Sequence, residues 1–153
     1  MGKYTCTRQI EIDAAHRVPD HKSKCFNVHG HRYKIQATLS GDVIDDGRQT
    51  GMVMDFAFLK DLMMVVIHEP CDHAMIFYDK DPMYLDLNLY TEGWKFYLMD
   101  EVPTAENLAA RWYKLLRVAI NEYWKEYEPR RLAPSLIKVR VYETPNCWAD
   151  YPV

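Results

Sequence analysis

Two histidines around a glycine, His29-Gly30-His31, head an alternating run in which Tyr33, Ile35, Ala37 and Leu39 share one parity. Side chains at i and i+2 of a strand point the same way. The run therefore predicts a long strand over 29–40, with both imidazoles on its apolar face. Imidazole is the commonest metal-binding side chain, and Gly30 puts no bulk between the two rings. Residues 4–13 alternate as an earlier strand, with Ile10 and Ile12 on one face, and Ala14-Ala15-His16 closes it. Three nitrogen ligands with an open fourth position would make a catalytic zinc site. Two surface histidines and an unrelated third satisfy the same spacing. Cys25 lies on the polar loop 17–28 that leads into the second strand. It is either a reactive thiol or a small buried hydrophobe.

A chain of 153 residues is expected to form one domain, 1–153, with a core of its own. A net charge of −3 gives no reason to expect nucleic acid or an anionic membrane as partner. The longest purely apolar run, Met63-Met64-Val65-Val66-Ile67, is too short to span a bilayer. Cys6, Cys25, Cys71 and Cys147 form no C-x-x-C pair, and no apolar signal segment is visible at the N-terminus. Free thiols in a reducing cytoplasm are therefore expected.

The stretch Gly41 to Gly51 is rich in turn residues and joins a hairpin to a short strand, Met52-Val53-Met54. Asp55 suits the cap of a helix whose buried stripe is Leu59, Leu62, Met63, Val66 and Ile67, and Pro70 should stop it. Asp72-His73 follows, either as solvated loop residues or as an acid–imidazole pair. Residues 74–102 are the least legible, with a hairpin around Thr91-Glu92-Gly93. Thr104 is the expected cap of a second helix with Glu106 in its first turn and Leu108, Trp112, Leu115, Leu116, Ala119 and Tyr123 as its stripe. A last strand over 136–143 places Ile137, Val139 and Val141 toward the core. Glu143 shares their parity. Either something pairs with it on the buried face, or the strand ends one residue earlier and Glu143 meets water. The order β-β-(β)-α-α-β argues an α+β fold. Two helices cover one face of such a sheet, and other subunits could cover the second.

Six stretches occur in order: Asp13-Ala14-Ala15-His16-Arg17, Cys25-x-x-x-His29-Gly30-His31, Gly51-Met52-Val53-Met54-Asp55-Phe56, Asp72-His73, Pro103-Thr104-Ala105-Glu106-Asn107 and Glu143-Thr144-Pro145. Over nearly the whole chain this series resembles the 6-pyruvoyl-tetrahydropterin synthase / 6-carboxy-tetrahydropterin synthase family. The resemblance implies the tunnelling fold: an antiparallel sheet with two helices on one face, whose subunits join into a barrel and stack, trimer on trimer, as a homohexamer. It implies Zn2+ held by His16, His29 and His31, with Cys25 as the thiolate base. Asp72 and His73 would handle the second proton, Glu143 would anchor the pterin, and Thr104 and Glu106 would lie near its pocket.

Three residues separate Cys25 from His29. That gap resembles the 6-carboxy branch, in queuosine and 7-deazaguanine biosynthesis. The implied reaction converts 7,8-dihydroneopterin triphosphate to 6-carboxy-5,6,7,8-tetrahydropterin, acetaldehyde and triphosphate. The alternatives are a pyruvoyl-type synthase and a pterin- or zinc-binding member that has lost catalysis. Two departures stand out. The connection 74–102 is longer than in compact members, and Cys71 occupies a position where leucine is common.

Overall fold

The computed structural model describes residues 3–153. Strands β1 (Tyr4–His16) and β2 (His29–Gly41) pair antiparallel without a break from Tyr4↔Gly41 to His16↔His29. Strand β5 (Ser135–Thr144) lies against β2, and β6 (Cys147–Tyr151) against β5. These four strands form the expected antiparallel body. The stretch 74–102 departs from the expected hairpin. It supplies β3 (Met75–Tyr78) and β4 (Phe96–Met99), which extend the sheet in parallel to give the mixed order β4-β3-β1-β2-β5-β6. The physical reason is the helix between them, α3 (Pro82–Asn88), capped by the Asp81 side chain. It carries the chain back across the sheet edge, and a parallel neighbour requires such a crossover.

Helix α1 (Phe56–Met63) is capped by Asp55, as expected, and runs through a π turn (Met64–His68) into a final turn, α2 (Glu69–Cys71). Pro70 does not stop this helix. It sits in the first positions of α2, where a missing N–H is tolerated. Met52-Val53-Met54 forms no strand; Val53 and Met54 are instead buried in an irregular segment under the core.

Helix α4 (Ala105–Tyr127) starts at Thr104 and buries Leu108, Ala109, Trp112, Leu116, Ile120 and Trp124. The expected Leu115 is 40% exposed, because the i, i+4 row from Leu108 to Trp124 faces the sheet instead. The helices cover the face carrying Ile10, Ile12, Ile35, Leu39, Val139 and Val141, all buried. A bulge where Thr38↔Lys138 gives way to Leu39↔Leu136 turns Ile137 outward and Leu136 inward, reversing the expected parity there.

The second face is polar. Arg32 makes two hydrogen bonds to Asp13, Gln36 donates to Gln9, and Thr7 meets Thr38. Such a ladder is satisfied by its own contacts and by water, so the sheet alone does not demand an apolar cover. Among the described residues no helix is long and apolar enough to cross a membrane.

Candidate active site

The antiparallel register places His16 opposite His29 and Ala14 opposite His31. Three imidazoles therefore meet where β1 ends and β2 begins, with ring centroids 4.6, 5.2 and 4.9 Å apart. Nδ1 of His16 lies 2.7 Å from the Pro103 carbonyl, and Nδ1 of His29 lies 2.8 Å from the Asn27 carbonyl. A carbonyl only accepts, so both Nδ1 atoms carry the proton and both Nε2 atoms present a lone pair. These two Nε2 atoms stand 3.2 Å apart. Facing lone pairs repel unless a cation lies between them. Nε2 of His31 is buried with no partner, and one ligand atom from each histidine falls within 4.8 Å of the others. Tetrahedral zinc with bonds of about 2.0–2.1 Å sets its nitrogen ligands about 3.3 Å apart. The three residues thus fit a metal ion in spacing, in tautomer and in the orphaned nitrogen.

Burial pushes the His16 imidazolium pKa down to about 4, helped by His29 and His31 and opposed by the Pro103 carbonyl. Burial lowers that of His31 as well. Both rings are neutral at pH 7, as metal ligation requires. In the unfolded chain a histidine protonates near 6.5. The unfolded state of the metal-free protein therefore binds more protons between pH 6.5 and about 4. Stability should be fully present above this window and fall with pH through it, by ~1 kcal/mol per pH unit. Urea unfolding of chelator-treated protein at pH 7 and pH 5.5 measures this, and equal midpoints would contradict a buried neutral cluster.

Cys25 sits on a single 3-10 turn, Lys24–Phe26, and is half-buried. It lines a cavity of about 230 Å³ together with His16, Thr104, Glu106, Glu143 and Trp148. Thr104 is committed to its helix: its hydroxyl accepts from the Asn107 N–H at 3.4 Å. Glu106 is exposed in the first turn of α4. The strand does extend past Glu143, and that carboxylate faces the cavity, its Oε1 3.6 Å from His16 Nε2. Burial raises its pKa and Glu106 adds to the rise, while His29 opposes it.

Asp72 and His73 form the expected pair, Oδ2 to Nδ1 at 2.7 Å. Burial raises the Asp72 pKa, but the Asp13 N–H and His73 outweigh it and hold the carboxyl below its usual range. His73 takes the left-handed conformation, φ 57°, and its N–H bonds the Asp13 carbonyl at 2.7 Å. Its side chain is 78% exposed. It opens onto a groove with Asp13, Gly30, Arg32 and the cluster residue His31, not onto the cavity that holds Cys25.

Three residues at the site escape the motif-based reading. Tyr33 packs edge-on against His16 and His31, and its buried hydroxyl has no partner. Its parity with the histidines marked it only as core. His21 and Trp148 also line the cavity. Trp148 arrives on β6, a five-residue strand too short to announce itself in the sequence.

The family model for 6-pyruvoyl tetrahydropterin synthase matches residues 5–152. A 6-carboxy-5,6,7,8-tetrahydropterin synthase of Rickettsia bellii is 35% identical, covering 95% of this chain and 97% of that protein. One from Haemophilus influenzae is 31% identical over 97% and 98% of the two chains. The solved 6-pyruvoyl tetrahydropterin synthase of Caenorhabditis elegans superposes with a TM-score of 0.65 at 29% identity, covering 99% of this chain and 96% of that one. An uncharacterized protein of Wolinella succinogenes shares the fold at a TM-score of 0.78 and 21% identity, with 98% of each chain covered. This chain belongs to the 6-pyruvoyl tetrahydropterin synthase family.

Proposed function

We propose that the protein is a zinc-dependent lyase that converts 7,8-dihydroneopterin triphosphate to 6-carboxy-5,6,7,8-tetrahydropterin, acetaldehyde and triphosphate. The observation that carries this reading is a metal-competent imidazole cluster whose member His16 borders the cavity that also holds a thiol and a half-buried carboxylate. The names of the Rickettsia and Haemophilus relatives support the 6-carboxy product. So does the three-residue gap between Cys25 and His29, which favours it over the pyruvoyl product. A place in the 7-deazaguanine route and a cytoplasmic location follow from the same reading.

Zinc is the ion that three nitrogen ligands and an open position suit, and when bound it would acidify the hydroxyls of the substrate side chain. Glu143 offers two oxygens to the adjacent N–H donors of the 2-amino-pyrimidinone edge. Thr104 and Glu106 border the same pocket. Cys25 takes the first proton as a thiolate, which a neighbouring cation favours. Asp72 fixes the His73 tautomer by accepting from Nδ1, leaving Nε2 free to move the second proton. Since His73 opens away from the Cys25 cavity of its own chain, a neighbouring subunit of a homohexamer would supply it.

Incubation with 7,8-dihydroneopterin triphosphate tests the reading. The 6-carboxy pterin by mass spectrometry, stoichiometric acetaldehyde and about one zinc per chain are expected. A pyruvoyl pterin without acetaldehyde would move the protein to the other branch. Inertness with zinc and pterin both bound would mark it as a member without catalysis.

Glu143→Gln should weaken pterin binding by ~1.5–3 kcal/mol, because it removes a charged hydrogen-bond partner. Folding should suffer less, since its carboxylate is partly desolvated in the free protein. Calorimetric titration with a pterin checks this, and unchanged affinity would remove Glu143 from the recognition site.

A further inference from the structure

We propose that Asp81, acting through Arg17 and Phe26, positions the Cys25 thiol, so that the segment between β3 and β4 is a support for the catalytic turn. The proposal rests on the reading that Cys25 serves the reaction. Arg17 follows the metal-cluster residue His16, yet its side chain turns to the sheet edge and is only 6% exposed. Its Nε donates to Asp81 Oδ2 at 2.8 Å, and Nη1 lies 3.5 Å from the Met83 sulfur. Asp81 is 1% exposed. Its other oxygen accepts the Met83 N–H at 2.9 Å, and its own N–H bonds the Tyr78 carbonyl at 3.0 Å. Asp81 is therefore fixed by the end of β3 and the start of α3, and it fixes Arg17 in turn.

The guanidinium carbon of Arg17 stands 4.6 Å from the centroid of the Phe26 ring. Phe26 is the residue after Cys25. The 3-10 turn that carries both has no buried residue of its own. Among the described residues it is tied to the rest of the chain by the Val18 N–H to Cys25 carbonyl bond, 2.9 Å, and by the Arg17–Phe26 cation–π pair. A turn with so little packing takes its position from those ties. A buried ion pair is costly to form and needs its partner to persist. Here it holds a planar cation where an aromatic face can rest on it. The longer connection 74–102 thereby acquires a role: it delivers Asp81.

Three variants test this: Asp81→Asn, Phe26→Leu and Phe26→Trp. Two readouts are used on the metal-loaded full chain. The first is the iodoacetamide alkylation rate at Cys25, resolved from the other cysteines by peptide mass spectrometry. The second is kcat and KM with 7,8-dihydroneopterin triphosphate. Phe26 is 44% exposed, so its loss leaves the core intact, whereas Asp81→Asn strands a buried cation and can unfold the chain. Phe26→Leu should change the alkylation rate several-fold and lower kcat about tenfold, with KM and metal content held, since small misplacements of a reacting group act on kcat. Phe26→Trp, which keeps the aromatic face, should return both values toward wild type. A folded Asp81→Asn should behave like Phe26→Leu. Wild-type alkylation and kcat in Phe26→Leu would overturn the proposal while leaving the lyase reading untouched. Altered alkylation in a protein whose wild type shows no turnover would support the tether and overturn the catalytic reading alone.

Discussion

Cys25→Ala should lower turnover of 7,8-dihydroneopterin triphosphate by about 10²–10⁴-fold, the range that a positioned general base contributes. Metal content and pterin affinity should stay near wild type. The separation follows from where the groups sit. The three imidazoles come from β1 and β2, and what the 3-10 turn lends them is the Asn27 carbonyl on His29 Nδ1, a backbone group that Cys25→Ala leaves in place. Glu143 comes from β5 and reaches the same cavity from a different element. Removing a half-buried thiol from a surface turn leaves no buried polar group unpaired and opens no core void, so the melting temperature should barely move. Steady-state kinetics, zinc analysis and pterin titration on one preparation distinguish the outcomes. Turnover within tenfold of wild type would exclude Cys25 as the base. Joint loss of metal and turnover would make Cys25 a fourth ligand.

The part of the site legible in the sequence is the part whose local geometry is dictated by parity. His29, His31 and Tyr33 share a face because a strand has period two, and His16 joins them through register. Asp55 and Thr104 announced helix starts because a capping oxygen is a local requirement. Failures fell where a distant contact overrides the local pattern. Ile137 faces outward because a bulge, set by pairing with β2, inserts a residue into β5. The 74–102 stretch hides two parallel strands because parallel pairing leaves no turn signature, and each strand is four residues long. Asp81 was invisible for a related reason. It reads as an ordinary cap for α3 until the fold brings Arg17, 64 positions away, onto its other oxygen.

Mixing inactive Cys25→Ala and His73→Ala chains should restore turnover that neither shows alone. In a single chain His73 is 78% exposed and lines a groove beside Asp13 and Gly30, while Cys25 lines the cavity below α4. The left-handed backbone at His73 and the Asp13 carbonyl bond hold that orientation. The ring is therefore presented outward by construction, toward whatever packs on that edge. If the partner is a second copy of the chain, one subunit supplies Cys25, the metal ligands and Glu143, and its neighbour supplies Asp72 and His73. Random assembly of equal amounts then leaves about a quarter of the sites with both groups intact. Co-expression with two affinity tags, sequential purification of the mixed oligomer and assay against each parent measures the recovery. A mixture of Asp72→Asn and His73→Ala chains is the control. Both lesions fall on the same half of the shared site, so every site keeps one of them and the mixture stays inactive. Recovery in the first mixture and none in the second requires a site shared between subunits. Absence of recovery in both, from oligomers that assemble normally, would place Asp72 and His73 in service of their own chain or outside the reaction.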